Sequence, residues 1–210
     1  SVRTSVPATT QPFLTIFITL FIAIFSLLCS NYLPRVRVSA CPLDPMEDLM
    51  LLEDARYMIT TNVANGGNFI VTAEKPEGPW SEPYWLEADG IDPSLFFDDD
   101  GRCYYCGTKG RREGSSYDGD NEIYIQELDL TSMTLIGESY PIWHGALKHA
   151  IWAEGPHIYK KDDYYYLLIS EGGTDFEHAL SIARSKDLFA DFEGCLMNPI
   201  LTHRHLGRSF

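Results

Sequence analysis

From Arg56 onward the chain is written in short apolar bursts with turn residues between them. Arg56-Tyr-Met-Ile-Thr-Thr leads through Ala64-Asn-Gly-Gly to Asn68-Phe-Ile-Val-Thr-Ala, and Gly78-Pro-Trp-Ser-Glu-Pro closes that unit. A second unit runs through Ile91-Asp-Pro-Ser-Leu-Phe-Phe, the turn Asp98-Asp-Asp-Gly, a strand over Arg102–Gly107, and a polar loop over Lys109–Asp120. It continues with Asn121-Glu-Ile-Tyr-Ile-Gln and a strand near Thr134–Trp143. The third unit holds a strand at His157–Tyr159, a Lys-Lys-Asp-Asp turn, a strand at Tyr164–Ser170, the loop Glu171-Gly-Gly-Thr, and His178-Ala-Leu-Ser-Ile-Ala. Short runs rich in aromatic and β-branched residues, bounded by Gly, Asn, Asp and Pro, predict strands. No stretch after Arg56 sustains the apolar spacing of a helix.

The segments opening at Asn68, Asn121 and His178 recur at about 53 to 57 residues. Several strands per repeat at that period predict a β-propeller rather than a sandwich. The chain carries enough pattern for about three blades, and propellers close with roughly four to eight. A partial propeller, incomplete at both ends, is therefore expected.

Phe13–Cys29 breaks this pattern: it is an uncharged apolar run, with Arg3 before it and Arg35 and Arg37 after it. It predicts an apolar helix, either a signal peptide or a membrane anchor. The expected division is residues 1–40 for this segment and its join, and 41–210 for the β domain. The protein would then be secreted or anchored outside the cell; a segment foreign to the domain would leave it cytoplasmic.

Thirty acidic residues against 16 basic ones give a net charge of −14, which argues against nucleic acid as a partner, since phosphate binding needs a basic face. The aromatic share of 13% suits β structure or sugar stacking. Five cysteines without regular spacing describe no disulfide framework. Cys103 and Cys106 lie three apart on a strand, so they point to opposite faces and cannot form a knuckle. His149 and His157 lack ligand spacing for zinc, and Asp98-Asp-Asp-Gly lacks that of a calcium loop, so no metal site is expected.

Two carboxylates stand out by position. Asp92 precedes the strand Ser94-Leu-Phe-Phe, and Glu154 precedes the strand at His157, at equivalent places in successive repeats. A shared site is the natural inference.

At these residues the chain resembles glycoside hydrolase family 43, in its β-xylosidase and α-L-arabinofuranosidase branch. The likeness rests on Tyr57-Met-Ile-Thr-Thr-Asn, Asn68-Phe-Ile-Val-Thr-Ala, Gly78-Pro-Trp-Ser, Gly90-Ile-Asp-Pro-Ser-Leu-Phe-Phe-Asp-Asp-Asp-Gly, Trp152-Ala-Glu-Gly-Pro-His, Ser181-Ile-Ala-Arg-Ser-Lys and Asn198-Pro-Ile-Leu-Thr-His-Arg. It spans about residues 56–207. It implies a five-bladed propeller and exo-acting, inverting hydrolysis of β-xylosyl or α-L-arabinofuranosyl ends in hemicellulose-derived oligosaccharides. By the same resemblance Glu154 matches the general acid, and Asp92 the carboxylate that orients it and keeps it protonated. Like charge and partial desolvation suit that task. Trp152, Thr174 and Arg204 are the candidate sugar contacts. No cofactor is implied, since carboxylates and water suffice.

The family's general base has no clear counterpart; Leu43-Asp44-Pro45 is the nearest imitation of its motif. The alternative is a catalytically inactive, carbohydrate-binding remnant that lacks the base.

Overall fold

A computed structural model of the chain describes residues 37–38, 57–63, 66–75, 77–147, 149 and 151–204. Among these residues all regular structure is β. The predicted apolar helix over residues 13–29, and Asp44, lie outside them. Among the described residues no helix is long and apolar enough to cross a membrane.

Among the described residues thirteen strands form three antiparallel sheets. The first takes β1 (Arg37–Val38), β2 (Tyr57–Val63), β3 (Gly67–Ala73) and β4 (Tyr84–Leu86) in chain order. The second takes β5 (Ser94–Phe97), β6 (Cys103–Gly110), β7 (Asn121–Asp129) and β8 (Thr134–Trp143). The third takes β9 (Glu154–Lys161), β10 (Tyr164–Glu171), β11 (Ala179–Ser185) and β12 (Glu193–Gly194), and β13 (Leu201–Thr202) also pairs with β11. The three recurring segments read from the sequence are β3, β7 and β11, the third strand of each sheet. Apart from β13, each sheet is thus a meander of neighbours in sequence, the cheapest connectivity for antiparallel strands.

The central strands of the second sheet, β6 and β7, are buried on both faces. Along β6 the first six residues are all buried, but they divide by alternation. Cys103 and Tyr105 join Met58, Ile70 and Leu86 of the first sheet in one core. Tyr104 and Cys106 join Ile158, Leu167 and Ile169 of the third sheet in the other. Strand β7 does the same, sending Tyr124 and Leu128 to the first core and Ile123 and Ile125 to the second. The two cysteines therefore face opposite ways, and burial pushes the Cys106 thiol up, away from reactivity.

Three details differ from the expected elements. Strand β6 runs on to Gly110 instead of stopping at Gly107. Gly107 is there for packing: a Cβ would lie 2.9 Å from the Tyr105 ring and 3.1 Å from that of Tyr124. Strand β9 starts at Glu154 rather than at His157, so the acid lies in the strand and not ahead of it. Pro156 is tolerated because β9 is an edge strand, where one row of backbone groups needs no ladder partner. The short strands β1, β4, β12 and β13 went unread.

The second and third sheets are also pinned by charge. Asp98, at the β5–β6 turn, receives hydrogen bonds from Lys160 Nζ at 2.5 Å and from the Tyr165 hydroxyl at 2.8 Å. Its side chain is only 9% exposed. Burial alone would raise its pKa, but the hydrogen bonds from Lys160 and Tyr165 outweigh it, and the net shift is downward from the ordinary 3.8. A depressed carboxylate stabilises the fold above its unfolded pKa, and that contribution fades as pH falls through the lower native value. Asp98→Asn should therefore unfold at lower urea than wild type at pH 7, with the gap narrowing below about pH 3.8. A gap that stays constant with pH in urea titrations would contradict this account.

Candidate active site

Strands β5 and β9 belong to different sheets yet run side by side in the same direction. Ser94 Oγ donates to the Pro156 carbonyl at 2.6 Å, and four residues further along each strand Lys160 reaches Asp98. Both contacts join residues 62 apart in the sequence. The same offset relates Asp92 to Glu154, two residues upstream of the first contact on each strand. Both side chains are buried, at 6% and 9% exposure. Asp92 precedes β5 in a left-handed bend and Glu154 opens β9, so both buried acids sit at the same end of this parallel contact.

The segment carrying Asp92 is held from both neighbouring sides. Asn68 Nδ2 donates to the carbonyls of Ala88 at 2.8 Å and Gly90 at 3.2 Å, and the Asp92 amide donates to Asn62 Oδ1 at 3.4 Å. Gly90 has φ +85°, and a Cβ there would lie 1.4 Å from the Thr108 carbonyl oxygen, so only glycine fits. Asp92 itself has φ +54°. A non-glycine residue in that region is held there at a cost of order 1–3 kcal/mol by what surrounds it.

The segment carrying Glu154 is built in the same way. Thr108 Oγ1 donates to the Ala153 carbonyl at 2.6 Å, in a buried contact. Glu154 pairs with Ser170 of β10, next to a break in register between Leu168 and Ser170. Just upstream, the fully buried Glu171 carboxylate receives the amides of Ala146 at 3.0 Å and Leu147 at 3.2 Å. That ties down the loop leading into β9.

Trp152 is another left-handed residue, with φ +55°. Its amide donates to the Gly119 carbonyl at 2.7 Å. Its ring lies between two glycines: a Cβ on Gly173 would come within 2.6 Å of it, and one on Gly119 within 2.9 Å. Even so, Trp152 remains 42% exposed. A large ring that is immobilised and still open to solvent can stack on a sugar. Thr174 follows Gly173 on the same rim and is exposed.

Arg204 is engaged differently. Its Nε donates to the Glu177 carbonyl at 2.6 Å and lies 3.4 Å from the Glu177 carboxylate. It fastens the base of the loop that bears Thr174. His178 fastens the same loop through Nδ1, 2.6 Å from the Gly173 carbonyl.

The described residues include three further buried carboxylates, and each has a structural partner. Glu171 holds the loop amides just described. Asp120 accepts the Ser116 amide at 2.8 Å beside Arg111, and Glu122 accepts the Arg112 amide at 3.1 Å. Ser94, Thr108, Asn68 and Glu171 were not singled out from the sequence. Only the position of Ser94 beside Asp92-Pro93 could have flagged one of them.

Comparison with known proteins agrees in one direction. The profile of glycosyl hydrolases family 43 matches residues 48–209. A xylosidase/arabinosidase from Butyrivibrio fibrisolvens is 67% identical over 157 residues, covering 73% of this chain and 30% of that protein. A non-reducing end α-L-arabinofuranosidase from Bacteroides ovatus is 35% identical, over 70% of this chain and 26% of its own length. Among solved structures, a xylan β-1,4-xylosidase from Bacillus halodurans superposes with a TM-score of 0.62 at 35% identity, covering 74% of this chain and 31% of that one. The chain thus spans under a third of the length of these relatives.

The glycine at position 90 gives a direct test of the site's packing. Gly90→Ala should cost at least about 3 kcal/mol, because overlap with the Thr108 carbonyl adds to backbone strain. Urea unfolding measures it, and a loss below about 1 kcal/mol would show that the loop does not press on Thr108.

Proposed function

The chain belongs to glycosyl hydrolases family 43, and on that footing we propose that it is a glycosidase of the β-xylosidase and α-L-arabinofuranosidase type. Its substrates are then the ends of xylan-, arabinoxylan- or arabinan-derived chains. The three sheets act as successive blades of a five-bladed propeller, with β5 and β9 as their inner strands. What supports the reading is the offset of 62 residues shared by the Ser94–Pro156 and Asp98–Lys160 contacts, which also relates the buried Asp92 and Glu154.

In this role Glu154 donates a proton to the departing glycosidic oxygen. Asp92, a like charge at the same level, disfavours loss of that proton before the sugar arrives. Trp152 and Thr174 line the rim on which the sugar rests, while Arg204 supports it through Glu177. Inversion requires a second carboxylate to activate water from the opposite face, roughly 6.5–9.5 Å from the acid. Asp120, Glu122 and Glu171 each hold a backbone amide, and none of the three is assigned as that base.

The engagement of these three carboxylates also favours a second reading, a carbohydrate-binding chain without turnover. One experiment separates the two. Chromogenic xylosides and arabinofuranosides should be hydrolysed by wild type, and Glu154→Gln should lose about 10²–10⁴-fold in rate, the usual worth of a general acid. Equal rates in both proteins would remove Glu154 from the role. Saturable binding of xylo-oligosaccharides with no release of chromophore would establish the binding protein instead.

A further inference from the structure

Glu154 is bracketed by two hydroxyl groups, both supplied by the sheet that follows Asp92. Thr108 donates to the carbonyl of Ala153, the residue before the acid, and Ser94 donates to that of Pro156, two residues after it. Each bond is 2.6 Å long and buried, and each donor residue is 1% exposed. Neither bond belongs to a sheet ladder, because each joins one sheet to the next. Ladders fix strands within a sheet, but nothing in them fixes how one sheet slides along its neighbour.

Thr108 acts on both acids. Its hydroxyl holds the Glu154 segment, and its carbonyl oxygen lies against Gly90, two residues before Asp92, where even a methyl group would overlap it. Ser94 likewise lies two residues after Asp92 on β5 and holds β9 from the other side. Removing either hydroxyl takes a donor from a backbone carbonyl in a buried contact and one tie between the sheets with it.

We propose that Thr108 and Ser94 are positioning residues that lock the second sheet, through β6 and β5, against the start of β9 and thereby set the separation of the Asp92 and Glu154 carboxyl groups. The assignment rests on the pairing of those two acids proposed above. Neither hydroxyl touches the sugar; both act through the backbone. Coulomb coupling between two partly buried charges falls with distance, so a lost clamp weakens the effect of Asp92 on Glu154.

The test follows that coupling in the full chain, with the glutamate side-chain carboxyl carbons labelled and the Glu154 signal assigned from Glu154→Gln. The midpoint of its titration is read by NMR in wild type, Asp92→Asn, Thr108→Val and Thr108→Ser. Asp92→Asn should lower the midpoint. Thr108→Val keeps the side-chain shape without the hydroxyl and should produce at least about half of that drop, whereas Thr108→Ser should stay with wild type. Should Thr108→Val fail to fold, Ser94→Ala removes a single oxygen and carries the same comparison.

A drop in Asp92→Asn but none in Thr108→Val or Ser94→Ala overturns the clamp and leaves the acid pair standing. No change in Asp92→Asn overturns the pair, and the clamp with it. Equal drops in Thr108→Val and Thr108→Ser also overturn the clamp, since the hydroxyl would then be irrelevant.

Discussion

The contact on which the site depends is the one that fixes one sheet against the next along β5 and β9. At one end Ser94 reaches the Pro156 carbonyl, and at the other Lys160 reaches Asp98. A hydrogen bond and an ion pair four residues apart on both strands leave no freedom to slip by one residue. Such a slip would turn every side chain of β9 to its other face. With the register held, the bend bearing Asp92 and the start of β9 bearing Glu154 lie at the same end of the contact, and the proposed pairing of the two acids depends on it.

Packing supplies the rigidity that makes this register meaningful. The second sheet lies between two apolar cores, one shared with each neighbour, and its strands divide their side chains between them by simple alternation. A fully buried Ile or Leu side chain contributes roughly 1.5–3 kcal/mol. Ile123 and Ile125 toward the third sheet, and Ile70 toward the second, therefore outweigh any single polar contact in stability. The polar contacts do something else: they choose one sliding position among those that apolar packing alone would tolerate. The left-handed backbones of Asp92 and Trp152 belong to the same economy, strained residues held in place by a stiff frame.

Much of the fold was legible in the sequence, because the long central strands obey simple rules. Strand β8 was read with its observed bounds, and β10 to within a residue of its end. The third-strand repeat fell on β3, β7 and β11. The failures have physical causes. Strands of two or three residues such as β4 and β12 carry no periodicity and exist only through their partners. Gly107 looked like a strand end, but it is a small residue admitted between two tyrosine rings. The strand at His157 was expected to follow Glu154, whereas this edge strand accepts Pro156 and starts at the acid itself.

The site was readable to a different depth. Asp92 and Glu154 stood out because they recur at equivalent points of a repeat, and family membership was legible in the motifs around them. Their supports were not. Thr108 lies in an ordinary-looking strand, and its hydroxyl matters only because Ala153 arrives beside it from 45 residues away. Glu171 opens a glycine loop in sequence, yet in the fold it is a buried anchor for Ala146 and Leu147. Arg204 was expected among the sugar contacts; the fold places it against Glu177. Tertiary partners of this kind leave no trace in local composition.

The central claim is that register between sheets makes Asp92 and Glu154 a pair, and the distance between their carboxyl carbons measures it most directly. An X-ray map of the chain should place those carbons within about 6 Å of each other, the range over which like carboxylates perturb one another. A separation beyond about 12 Å, or side chains opening on different surfaces, would contradict the account, because no acid pair of a glycosidase works across such a gap.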